Sequence, residues 1–260
     1  MNNYKEPQKN NNFSTELDFG TVLEKAFNIY KKIVGIAGVS MIILGIIYCA
    51  IILGLIAIFV GFNAFNEAMT NFKITEYSIT IILGYLLFMA VFSGVSANFT
   101  AGIYQMAYAA NSNKQYEIGT LFHYFKTIYF KELFLSGVII ASVSGCFGLL
   151  FQFLNMEFVG MIITYTIAFL TTLTIPIIIF SNLKAIDAIS LSFKLVTKNF
   201  LIILGLLIVA IILTALGFIG LCIGIFFTLP LMYSTIFCIY NEILPIRETN
   251  IIDEIGTTEE

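Results

Sequence analysis

Charge is what this chain has least of. Only 11% of its 260 residues are Asp, Glu, Lys or Arg, against 59% hydrophobic. A soluble domain carries about 25% charged residues, because its surface must face water. Most of this surface must therefore face something apolar. Histidine is almost missing too: His123 is the single copy, which excludes any metal centre built on several imidazoles. The four cysteines, Cys49, Cys146, Cys222 and Cys238, stand far apart with no CxxC or CxxH pairing. Neither a zinc site nor a dithiol redox motif can be assembled from that spacing, and each cysteine reads as a small hydrophobe within an apolar run.

Catalytic signatures are absent as well. No glycine-rich loop ends in the Lys-Ser/Thr that a phosphate-binding loop requires. No Gly-x-Ser-x-Gly occurs, and no serine or cysteine has a histidine partner to serve as base. Hydrolytic, metal-dependent or proton-coupled work inside a membrane needs ionisable groups at depth, and the long apolar runs contain none. The chain is expected to be no enzyme, to hold no metal or cofactor, and to bind no nucleic acid. His123, among Phe122, Tyr124 and Phe125, reads as an interfacial residue rather than a ligand.

What is present is uncharged length. Ile33–Asn66, Tyr77–Asn113, Leu133–Met156, Phe158–Leu183 and Phe200–Asn241 contain no Asp, Glu, Lys, Arg or His. A hydrocarbon core about 30 Å thick needs roughly 20 apolar residues per helical crossing. The last run, 42 residues long, would make a straight helix of about 60 Å at 1.5 Å per residue. It must be a hairpin, with its turn at Leu216-Gly217-Phe218-Ile219-Gly220. The count is six spans. Alternation of apolar and polar residues, the mark of a membrane barrel, is missing, so the class is all-α integral membrane. The first apolar run starts only at Ile33 and exceeds the 7–15 residues of a signal-peptide core.

Lysine and arginine set the expected orientation. Twelve of the thirteen lie in Lys5–Lys32, Lys114–Lys131, Lys184–Lys198 and at Arg247, and only Lys73 falls elsewhere. Positively charged connections stay in the cytoplasm, which predicts that both termini are cytoplasmic. Residues 1–16 are expected to form a disordered cytoplasmic tail, residues 17–244 the six-span domain, and residues 245–260 a second cytoplasmic tail.

Three segments then match in register. Apolar residues recur at offsets 0, 3, 7 and 10: Phe19, Val22, Ala26, Ile29; Ile118, Leu121, Phe125, Ile128; Ile186, Ile189, Phe193, Val196. Those offsets mark one face of an α-helix. The other face carries Lys25, Lys31 and Lys32, then Lys126 and Lys131, then Lys194 and Lys198. A glycine follows at offset 19 each time (Gly38, Gly137, Gly205). Basic amphipathic helices of this kind lie in the membrane interface, with their lysines toward lipid head groups. The chain reads as three units, residues 17–111, 117–182 and 184–244, each an interfacial amphipathic helix followed by a transmembrane hairpin.

The stretch Asp187-Ala188-Ile189-Ser190-Leu191-Ser192-Phe193-Lys194-Leu195-Val196, preceded by Pro176 and followed by Lys198-Asn199-Phe200, Leu229-Pro230-Leu231 and Tyr240, resembles a group of uncharacterised bacterial polytopic membrane proteins. That group is similar to the membrane domain fused to some bacterial glycerophosphodiester phosphodiesterases. The likeness covers the last 90 residues best. It implies the cytoplasmic (inner) membrane of a bacterium and carries no activity, because the soluble phosphodiesterase domain is absent.

Polarity at depth is mild. Asn98, Ala101, Gly102, Gln105 and Ala109 share one face of the second span, which is expected to point into the bundle because amides facing lipid would lack partners. Gln152 in the third span and the fourth-span threonines are candidates to stand opposite. Ala90, Gly94, Asn98 and Gly102, small and four residues apart, predict a close helix contact. Pro176 and Pro230 predict kinks in spans four and six. Membrane lipids and other membrane proteins are the expected partners. Function reads as a non-catalytic accessory or membrane-organising protein; the alternative is a carrier or pore for an apolar or amphiphilic molecule.

Overall fold

The computed structural model describes residues 17–59, 79–219 and 224–246, which form eight α-helices and, among those residues, no strand. Six rods are long and apolar enough to cross a membrane: Phe19–Gly54, Ile82–Asn111, Phe130–Phe153, Glu157–Ser181, Phe200–Phe218 and Gly224–Ile243. The helical class and the number of spans agree with the uncharged runs. Residues 1–16 and 247–260 of the two tails, together with Lys73, Gly220 and Cys222, lie outside the described residues.

Helix α1 spans Phe19–Phe59 without interruption. The first amphipathic segment and the first span are therefore one rod, not two elements. Nothing between them can break a helix: there is no proline and no cluster of turn residues. Its start is set by Asp18, whose Oδ1 accepts the Thr21 backbone N–H at 2.6 Å and so satisfies a donor that the first helical turn leaves free.

Helix α2 (Ile79–Asn111) returns, and a 3-10 helix, Ile118–Lys126, leads into α3 (Phe130–Phe153). The tighter 3-10 winding changes which residues face inward. Side chains three apart now eclipse, so Leu121 and Tyr124 are buried. Of the expected α-helical face, Ile118 is exposed, Phe125 is half-buried and Ile128 is 77% exposed.

The fourth span is broken. It consists of α4 (Glu157–Leu170) and α5 (Thr174–Ser181), separated by Thr171-Thr172-Leu173. Pro176 explains the position, since it has no N–H for the Thr172 carbonyl and its ring crowds that same oxygen. Pro230, by contrast, sits inside a continuous α8 (Gly224–Ile243). Helix α6 (Ala185–Lys198) and helix α7 (Phe200–Ala215) meet at Asn199, and a 3-10 turn at Leu216–Ile219 begins the predicted hairpin. That hairpin is tight. The Thr228 hydroxyl donates to Thr214 O at 2.8 Å, and a methyl on Gly224 would lie 2.4 Å from Gly217 O.

Three asparagines, Asn113, Asn155 and Asn182, adopt φ near +50° just past the ends of α2, α3 and α5. Asparagine is the non-glycine residue best suited to this left-handed conformation, which closes helix C-termini.

The helices pack α7–α8–α1–α2–α3–α4 in sequence, with α5 leaning back onto α2, α3 and α8, and α6 wedged against α3, α4 and α5. Buried residues concentrate at the end that carries the lysines: Ile33, Met106, Leu121, Leu133, Leu173, Ile177, Ile178, Leu206, Phe237 and Tyr240 are all fully enclosed.

Candidate functional site

Helix α2 presents two polar faces. On one, Asn98, Ala101, Gly102 and Ala109 are buried and Gln105 is half-buried, so this face points into the bundle as the amide argument expects. Its partners are α3 and the 3-10 helix. A methyl on Gly94 would lie 2.9 Å from Phe134 O, and one on Gly102 2.5 Å from Leu121 O, which is the close contact that the four-residue spacing predicts. The two amides behave differently. Gln105 Oε1 accepts the Tyr124 hydroxyl at 2.9 Å, and burial raises the Tyr124 phenol well above its ordinary pKa. Asn98 donates only to Gly94 O of its own helix, at 3.0 Å, and its Oδ1 is buried without a partner among the described residues.

The opposite face of α2 is polar as well. Ser96 lies 2.9 Å from the Tyr48 hydroxyl of α1, and Tyr104 stacks edge-on against Tyr233 of α8, centroids 5.7 Å apart. Serines and threonines among aromatics carry no periodic signal of their own, so only the fold reveals that three spans bring hydroxyls together here.

Gln152 is not brought to either face. It lines a separate open groove of about 540 Å³ between α2, α3 and α4, walled by Tyr85, Leu86, Ser144, Gly145, Gly148, Glu157, Met161, Thr164 and Tyr165. Of the fourth-span threonines, Thr164 joins Gln152 there. Thr166 and Thr171 instead donate to their own helix, to Ile162 O and Ile167 O, each at 2.8 Å. Thr174 is buried with its hydroxyl unpaired among the described residues.

The lysines divide into two groups. Lys25 pairs with Glu242 at the end of α8. Lys32 donates to Ala110 O at 3.0 Å and to Asn113 Oδ1 at 2.9 Å, capping the carbonyl end of α2 where a cation is favoured. Lys31 is exposed and lies over the Phe27 ring, 5.9 Å from its centroid. Lys126, Lys131, Lys194 and Lys198 are exposed and make no hydrogen bond or ion pair within the described residues. His123 is exposed with its ring edge against Tyr124.

Helix α6 shows the most informative surface. Ala185, Ala188, Ser192, Leu195 and Val196 are buried against the bundle. Ile186 and Phe193 are 67% and 52% exposed, and Asp187, Lys194 and Lys198 are exposed too. At 100° per residue these sets fill three separate sectors. The expected single apolar face of Ile186, Ile189, Phe193 and Val196 is thus split, and Val196 alone of the four is buried. Ser192 does more than pack. Its hydroxyl donates to Leu170 O at 2.8 Å and accepts the Leu173 N–H at 3.2 Å, occupying two of the backbone groups that the break in span four releases. Glu132 Oε2 likewise accepts the Ala185 N–H at 2.9 Å, a carboxylate at the positive end of α6.

Among the described residues, no three His, Cys, Asp or Glu side chains gather closely enough to hold a metal ion. No protein-family model, curated protein or solved structure matches this chain.

Proposed function

We propose that the protein is a non-catalytic component of a bacterial cytoplasmic membrane, with both termini inside, that organises its surroundings by resting its lysine-bearing end on anionic lipid head groups. The observation that carries this reading is the three-sector surface of α6. One sector is spent on the bundle, Ile186 and Phe193 suit the acyl region, and Lys194 and Lys198 suit the head groups. This is the surface of a helix lying in the interface. The three-unit organisation is part of the proposal. In its support, two of the offset-19 glycines stand at close approaches, where methyls on Gly38 and Gly137 would lie 2.5 Å from Phe227 and 2.6 Å from Ser93 O, while a methyl on Gly205 would make ordinary contact with Phe19 at 3.4 Å.

The test combines depth and lipid content. Spin labels at Phe193 and Lys194 of the protein in bilayers should report the acyl boundary and water, respectively. Replacing Lys126, Lys131, Lys194 and Lys198 by Glu should lower the anionic lipid retained on purification, since each lysine near an anionic surface contributes about 1 kcal/mol. Both labels in water, with unchanged anionic lipid in the variant, would overturn the proposal.

The alternative, a carrier for an amphiphilic molecule, is favoured by one feature: the open groove beside Gln152, lined by residues of three spans. Movement of a labelled lipid between leaflets, dependent on the protein, is its test.

A further inference from the structure

The groove at the end remote from the lysines has a chemistry that the lysine end lacks. Its walls are apolar side chains of α2, α3 and α4, and its floor is opened by Gly145, Gly148 and Gly160. Ser144, Gln152 and Thr164 line it without a hydrogen-bond partner among the described residues. The neighbouring Thr166 and Thr171, outside the groove, do have partners in their own helix. Ser144 lies nine residues inside the end of α3, roughly 14 Å at 1.5 Å per residue, where water is scarce and an unpaired hydroxyl is costly. Ser144 and Thr164, unpaired at depth, and Gln152, in the last turn of α3, line one opening and call for an occupant that is itself partly polar.

Charge selects which occupant. Glu157, exposed at the first position of α4, lines the groove and is the only charged side chain among the described residues of that end. No lysine or arginine of the described residues lines the groove. A carboxylate in that position repels an anionic head group and attracts an ammonium, and the Tyr85 and Tyr165 rings on the same walls offer faces that favour a cation. An opening of this size, apolar on most of its wall, suits an acyl chain below such a head. We infer that the groove between α2, α3 and α4 is a binding site for an ammonium-headed zwitterionic phospholipid, with the head group at Glu157 and Gln152 and one chain laid along Gly145 and Gly148. This deepens the carrier reading and rests on it.

The experiment uses the full chain reconstituted in bilayers of equal phosphatidylethanolamine and phosphatidylglycerol, extracted gently, with retained lipids counted by native mass spectrometry. The wild type should retain phosphatidylethanolamine with an enrichment of about three- to five-fold, the range that one partly exposed carboxylate–ammonium contact supports. E157Q, a near-isosteric change at an exposed position, should bring the ratio close to one. G148L, which fills the floor where a methyl meets nothing nearer than Thr164 Oγ1 at 3.8 Å, should lower the number of lipids retained. Replacing Lys194 and Lys198 by Glu should leave the phosphatidylethanolamine count unchanged, which separates this site from the lysine end. Retention that G148L abolishes but that ignores both head group and E157Q overturns the head-group assignment and leaves the carrier reading standing. Retention indifferent to G148L and E157Q alike overturns both.

Discussion

At the lysine-bearing end, Ile33, Met106, Leu133, Ile177, Phe237 and Tyr240 are fully enclosed, while at the other end Ile46, Leu53, Leu83, Leu87, Phe158 and Phe218 stand largely exposed. Composition does not separate the two groups; surroundings do. Lipid tails are as apolar as leucine, so helices in the hydrocarbon region gain nothing by hiding such residues from it. The lysine end is different. Helix α1 has 41 residues, about 60 Å at 1.5 Å per residue, which is twice the hydrocarbon thickness. Part of it must project among head groups and water, where burying apolar surface is favourable by roughly 25 cal/mol per Å². The bundle thus behaves as a packed, soluble-like core at one end and as separate lipid-facing rods at the other.

Glycine substitutions test this division most severely. A methyl on Gly137 would lie 2.6 Å from Ser93 O and 2.8 Å from the Gly94 Cα; both neighbours are backbone and cannot swing aside. Gly137→Ala should therefore destabilise by about 1–3 kcal/mol through forced separation of α2 and α3. Gly84→Ala, in the far part of α2 with nothing within 4 Å of the new methyl, should be neutral, or more stable by up to about 1 kcal/mol through helix propensity. Thermal unfolding in detergent reads the difference. Equal losses in the two variants would break the comparison.

The break in span four gives the next test. Ser192→Ala removes a donor from Leu170 O and an acceptor from the Leu173 N–H, both in the packed end, and should cost about 1–3 kcal/mol through unsatisfied buried backbone groups. Thr166→Val, in the far half of the same span, removes only a bond from its side chain to Ile162 O, which the helix does not need. It should stay within about 0.5 kcal/mol of the wild type. Faster amide exchange at Leu173 in Ser192→Ala, with no change in Thr166→Val, would place the loss at the break itself.

How much of this was legible in the sequence depends on what each signal measures. Uncharged length alone specified the spans, because a hydrocarbon core of fixed thickness admits few alternatives. The small residues of α2 marked the α2–α3 contact for an equally direct reason: only Gly94 and Gly137 allow backbones so close. Periodicity served less well at the amphipathic segments. It assumes α-helical winding, and Ile118–Lys126 winds as a 3-10 helix; it also assumes one apolar face, and α6 has a protein side and an outward apolar side. The candidate site was legible only in part. Asn98 and Gln105 point inward as argued, but the groove around Gln152 depends on α4 standing away from the rest of the bundle. Ser192, between Leu191 and Phe193, looked like one more polar residue of an amphipathic helix. Its role depends on a break 20 residues earlier, which no local pattern encodes.

The smallest effect concerns the edge of the packed end, where Asp18 opens α1. The Thr21 hydroxyl and, after it, the Thr21 backbone N–H hold the Asp18 carboxyl below its ordinary value of 3.8. A pKa that is lower folded than unfolded means that the unfolded chain binds the proton more readily. The contribution of the carboxylate to the first turn is then complete above the ordinary value and is lost as pH falls through the depressed folded one. Neutral pH should therefore show a protected Thr21 amide, and strongly acidic pH a frayed one, with residues beyond the first turns of α1 unaffected. Asp18→Asn keeps an acceptor without the charge, so its Thr21 protection should be weaker at neutral pH and insensitive to acid. Asp18→Ala should fray at every pH. Amide exchange at Thr21 across an acid titration decides the matter: protection in the wild type that does not change with acid would mean that the carboxylate is not what starts this helix.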